Sequence, residues 1–159
     1  MNDHAAIQTD FREIVIDDVF AHTPEAIWAT LVRPELMARW LRMTPVGFEP
    51  VVGTTFTYQT SPAGNWDGTI RCQVVEVVPN ARLAYSWKGG DAGNVGYGSL
   101  LDTVVTLTLE PVVGGTRLRV VHSGFVLPRN ETAYTNMSGG WVGVVQRIGE
   151  ISGEEPATN

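Results

Sequence analysis

The chain has 159 residues, 43% of them hydrophobic and 18% charged, an ordinary globular composition that can bury roughly two-thirds of its unfolded surface in one core. Its formal charge of −6 excludes a nucleic-acid backbone as partner, because that contact needs clustered lysine and arginine to displace counterions. Cys72 is the only cysteine, so no intrachain disulfide can form.

The opening segment MNDHAAIQTD has no basic stretch ahead of an apolar run, and no window approaches the ~18 consecutive apolar residues of a membrane span. A cytoplasmic protein without a membrane partner is expected. Residues 1–10 and 153–159 read as flexible ends of a single domain over 11–152. REIVIDDVFA (Arg12–Ala21) is rich in β-branched residues and predicts a strand, although Asp17 and Asp18 interrupt its alternation. One of the two should point inward or lie at a bulge.

In TPEAIWATLVRPELMARW, Thr23 suits a helix N-cap, Pro24 the first helical position and Glu25 the positive end of the dipole. Ile27 and Leu31, four apart, form the buried face. Pro34 disfavours helical geometry at Arg33 and restarts the chain as a second helix to about Arg42, which pairs Leu36 with Trp40 and Met37 with Leu41.

Beyond this point the hydrophobic period changes from 3.6 to 2. Strands are predicted at TTFTYQT (Thr54–Thr60) and GTIRCQVVEVV (Gly68–Val78). ARLAYSW puts Leu83, Tyr85 and Trp87 on one face and Ala84 and Ser86 on the other, and DTVVTLTLE does the same with Val105, Leu107 and Leu109 against threonines. After a Gly114–Gly115 hairpin turn, Leu118, Val120 and His122 share a face while Arg117 and Arg119 face out. This alternation predicts an antiparallel sheet with one wet face. Its cover comes from Asn130 to Ile151, where Met137, Trp141, Val144, Val145, Ile148 and Ile151 recur at helical spacing behind Asn130 as N-cap. Gly139, Gly140, Gly143 and Gly149 each lower helix propensity by about 1 kcal/mol relative to alanine, so packing holds this helix or it breaks near the glycine pair. GGDAGNVGYG (Gly89–Gly98) is a loop within the domain, and it lacks the lysine and following helix of a phosphate loop.

The ordered blocks AIWATLVRPELMARW, WDGTIRCQVVEVVPNARLAYSW, TVVTLTLEPVVGGTRLRVVHSGF and the GGW of the last helix resemble the bacterial single-domain relatives of the activator of 90-kDa heat-shock-protein ATPase, of its C-terminal-domain type. That family lies within the START and birch-pollen-allergen-like superfamily, and the resemblance covers about Phe11 to Ile151. It implies an α+β helix-grip fold, a curved antiparallel sheet of about six strands wrapped around the long C-terminal helix with a cavity between them. The two clipped helices would close one end of the grip, with Trp40 near the end of that lid. The family's leucine-rich ending is here the Gly- and Val-rich GWVGVVQRIGEIS, which implies a roomier cavity.

His4, His22 and His122 are far apart in sequence and Cys72 stands alone, so no metal set is expected. His122 either contacts a ligand or acts as acid or base, or it is a structural histidine satisfied by a neighbour. Ser123 is no partner for it, since strand neighbours point to opposite faces. Asp17 or Asp18 supplies an inward carboxylate or pairs with Arg117 or Arg119. The candidate ligand-binding residues are Trp40, Phe56, Tyr58, Trp66, Tyr85, Trp87, His122, Met137 and Trp141, which either line an apolar pocket or fill the core. The resulting expectation is a protein that binds a small hydrophobic molecule, as monomer or homodimer, without a cofactor or a catalytic set. The alternatives are a co-chaperone whose partner is a chaperone ATPase, and a cyclase or hydrolase using His122.

Overall fold

The computed structural model describes residues 10–154, and over that span the two hydrophobic periods become nine elements. They are β1 (Asp10–Phe20), α1 (Pro24–Val32), α2 (Pro34–Leu41), β2 (Thr55–Gln59), β3 (Thr69–Val78), β4 (Arg82–Gly89), β5 (Leu101–Val112), β6 (Gly115–Leu127) and α3 (Glu131–Ser152). The expected flexible ends lie outside the described residues except for Asp10, Gly153 and Glu154. Of these, Asp10 opens β1 and Glu154 receives both Arg39 guanidinium nitrogens, at 2.9 and 2.6 Å.

The strands form one antiparallel sheet in the order β1-β6-β5-β4-β3-β2. One face is covered by α3, whose Trp141, Val144, Val145 and Ile148 are buried with Leu83, Tyr85, Val105, Leu107, Leu118 and Val120 of the sheet. Each such side chain contributes about 1.5–3 kcal/mol by leaving water. This layer holds the 22-residue helix continuous despite its four glycines. Gly139 and Gly140 face open space, with no atom within 4 Å of an added Cβ. The exposed Gly139→Ala change should therefore stabilise the protein by about 1 kcal/mol, read as a higher urea midpoint.

The first helix begins as its sequence dictates, with Thr23 Oγ1 accepting from the Ala26 N–H at 3.1 Å and Pro24 next to it. Arg33 is extended (φ −95°, ψ 120°), which separates α1 from α2. Ile27, Leu31, Met37 and Trp40 are all fully buried, and both short helices pack on α3.

Three expectations are corrected. Asp17 and Asp18 neither point inward nor form a bulge: β1 is an edge strand, both are exposed, and the irregularity falls between Arg12 and Glu13. Asp17 pairs with Arg119 at 3.0 Å, an exposed contact worth about 0–1 kcal/mol. Ala84, expected on the wet face, is 4% exposed, because β4 is a central strand and its outer face is crowded by neighbours. Asn130 precedes α3 but makes no capping bond with its side chain. That amide is fully buried and used elsewhere: Oδ1 accepts from Val126 N–H, and Nδ2 donates to Ser99 Oγ and Leu100 O.

Candidate functional site

At the end of the sheet nearest the start of α3, β3 and β4 separate from the helix and leave a partly open cavity of about 150 Å³. Its floor is the indole of Trp87 on β4 with Ile70 on β3, and Leu101 at the start of β5 extends it. Met137 and Ala133 of α3 form the roof, and Met43, just past α2, closes one side. The remaining wall is the glycine-rich loop. Asn94 Nδ2 donates to Ala63 O and Gly98 O, Tyr97 Oη donates to Ser61 O at 2.7 Å, and Trp66 Nε1 donates to Thr69 O. These bonds tie the loop to residues 61–66 and set Trp66 against Tyr97, with ring centroids 6.0 Å apart.

A second recess of about 250 Å³ adjoins it along α3 and shares Met43, Trp87, Asn136 and Met137. Its own walls are Leu41, Gly140, Trp141, Val144 and Arg147. Each compartment alone is below the roughly 300–1,000 Å³ common for small-molecule sites, and only the two taken together reach that range. Trp87 is the partition between them. It is 4% exposed and its indole N–H has no hydrogen-bond acceptor among the described residues.

The nine candidates from the sequence divide into two groups. Trp66, Trp87, Met137 and Trp141 line one or both compartments. Trp40 does not: its indole N–H donates to Thr30 O at 2.9 Å and staples α2 to α1. Phe56, Tyr58 and Tyr85 form an aromatic cluster beneath the cavity, in which Phe56 meets both tyrosines edge to face with ring centroids 5.6 and 5.2 Å apart. The Tyr58 and Tyr85 hydroxyls lie 3.3 Å apart, and burial raises the pKa of each and of the Cys72 thiol, so this interior is neutral.

His122 lies behind the wall, in contact with Trp87, Phe125 and Trp141. Trp141 Nε1–H donates to its Nδ1 at 3.1 Å, since an indole nitrogen can only donate. Nδ1 is thereby an acceptor, and the proton sits on Nε2, which donates to Thr103 Oγ1 at 2.8 Å; that hydroxyl donates onward to Trp87 O at 2.9 Å. Burial lowers the His122 pKa to about 3, so the ring is neutral at physiological pH with both nitrogens occupied.

Met43, Ile70, Tyr97, Leu101, Asn136, Gly140 and Arg147 line the compartments and were not among the sequence candidates. Ile70 was legible in the alternation of β3. Asn136, Gly140 and Arg147 share one helical stripe with Val144, at spacings of four, four and three. Among the described residues no group of three His, Cys, Asp or Glu side chains is arranged to hold a metal ion, and no helix is long and apolar enough to cross a membrane.

A six-stranded antiparallel sheet closed over a long C-terminal helix, with a cavity at the mouth, defines a helix-grip protein of the START-related class. The chain belongs to the activator of Hsp90 ATPase homolog 1-like family, whose model matches residues 21–153. It is similar to the solved structure of protein MLL2253 from Mesorhizobium loti, at 32% identity over 88% of this chain and 96% of that one, with a TM-score of 0.73. Bacillus halodurans protein BH1534 (21% identity, 91% and 99% covered, TM-score 0.68) and CalU16 from Micromonospora echinospora (19%, 92% and 85%, 0.67) share the fold. No curated protein matches the sequence.

Proposed function

We propose that this protein binds a small, mainly apolar molecule in the paired compartments between the mouth of the sheet and α3. The observation that carries this reading is the cavity whose walls are Trp66, Trp87, Ile70, Leu101, Met43 and Met137, with a buried indole N–H lacking an acceptor. An apolar cavity of ~150 Å³ is large enough for one aromatic ring. Family membership agrees with a carrier role, and it is also the support for a co-chaperone role. The enzymatic alternative through His122 has no such support, because neither nitrogen is free and Asp17 and Asp18 are on the outer edge strand.

The test uses Gly140→Leu. The added side chain enters open space, so the fold is kept and helix propensity rises, while the recess is filled. Calorimetric titration with 2-naphthol should show binding to the wild type and at least about a tenfold loss in Gly140→Leu, equivalent to ~1.4 kcal/mol. Equal affinity in both would mean that the recess along α3 is not where the molecule binds.

A further inference from the structure

The recess along α3 has an apolar middle and a polar side chain toward each end, Asn136 and Arg147. Leu41, Met43, Trp87, Trp141 and Val144 line most of its length, and Arg147 closes it. Arg147 uses one nitrogen structurally: Nε donates to Trp40 O at 3.0 Å, at the negative end of α2. Its two terminal nitrogens make no hydrogen bond or ion pair with any described residue. The guanidinium also lies back along its own helix, with Nη1 3.2 Å from the position a Cβ would occupy on Gly143. Because residue 143 has no side chain, the space that nitrogen occupies is left open.

The charges around it are Arg42 at the end of α2 and Glu150 one turn further along α3. Desolvation and the Arg42 charge outweigh Glu150 and lower the Arg147 pKa from its ordinary value, so its charge is under-compensated. A guanidinium with two free parallel donors, partly desolvated against an apolar wall, matches the geometry of a carboxylate.

We propose that the ligand is a compact organic carboxylate whose apolar body lies against Trp87, Met137 and Trp141 and whose carboxylate is held by Arg147. This inference rests on the binding role above and specifies its ligand class. Gly140, at the centre of the stripe, leaves room for the body between Met137 and Arg147. The separation of functions on Arg147 supports the assignment, since the Nε bond to Trp40 places the head group and leaves the Nη pair without a partner among the described residues.

The test is a matched pair of probes, 2-naphthoate and 2-naphthamide, which have nearly the same shape and differ in charge. Wild-type protein should bind the acid about tenfold more tightly at low salt, with that preference shrinking as salt is raised. Arg147→Gln should remove the preference, and Arg147→Lys, which keeps the charge, should retain part of it. If the wild type binds both probes equally, and Gly140→Leu blocks both, the carboxylate assignment is overturned while the binding role stands. If neither probe binds, both are overturned together. If Arg147→Gln does not fold, the salt dependence of the wild-type preference decides, a salt-independent preference overturning the proposal.

Discussion

His122→Ala should destabilise the protein by about 4 kcal/mol, read from urea unfolding at neutral pH. The ring fills a fully buried site between Phe125, Trp87 and Trp141, so its removal leaves a cavity and orphans the indole N–H of Trp141. On a total stability of about 5–15 kcal/mol this is a large fraction. The same residue sets an acid limit. Its pKa is lowered from 6.5 to about 3 by burial, so the unfolded chain takes up a proton in this window and the folded chain does not. Stability is complete above the unfolded value and falls by about 1.4 kcal/mol per pH unit as pH drops below it, until the folded value is reached. Between pH 7 and 5 the wild type should lose about 2 kcal/mol by this route. His122→Gln, which does not titrate, should lose far less over the same interval. An equally steep loss in that variant would show that another group carries the acid sensitivity.

Asn130→Asp should cost about 3 kcal/mol although it changes one atom type. The native amide donates from Nδ2 to Ser99 Oγ at 3.0 Å and Leu100 O at 2.8 Å, and accepts from Val126 N–H. An aspartate keeps the acceptor and turns the two donors into an oxygen facing a carbonyl, in a site with no solvent access. Because Ser99 and Leu101 belong to the cavity wall, the change should also weaken 2-naphthol binding, and thermal unfolding together with calorimetry measures both effects. Asn130→Ala, which removes donors and acceptor together, should be comparably damaging. Near-wild-type stability in both variants would contradict the role given to this amide.

Much of the fold was legible because local rules and packing agree. Thr23, Pro24 and Pro34 mark the two short helices by backbone chemistry alone, and the alternation of Leu83, Tyr85 and Trp87 gave the inner face of a central strand. The site was legible only in part. Periodicity tells which face a side chain takes, and so it grouped Trp87 and Trp141 correctly with Phe56, Tyr58 and Tyr85 as inward-facing, but it carries no information about where two packed layers separate. Met43 and Tyr97 lie in irregular segments without a period, so their approach to the cavity depends on long-range contacts. Arg147 was hidden because a charged residue next to a helical apolar stripe ordinarily marks the solvent boundary. Asn130 misled for a physical reason: its position before a helix fits a cap, and tertiary hydrogen bonds took its side chain instead.

The helix over the cavity has unequal ends and a weak middle. Its C-terminal half, from Trp141 to Ile151, contains all its buried side chains, and the Phe20 ring of β1 occupies the space where Gly149 would carry a Cβ, so that ring packs directly on the helix backbone. The N-terminal end is pinned through the buried Asn130 beside it. Between these anchors, Asn136, Gly139 and Gly140 are exposed, and the two glycines contribute no packing at all. Free energies of local opening follow such differences in burial, so amide exchange should be slowest near residues 144–149 and fastest around 136–140. That turn lies directly over both compartments. Under the proposed binding role, transient loosening of this single helical turn, with the rest of the fold intact, is the expected way in and out for a guest molecule.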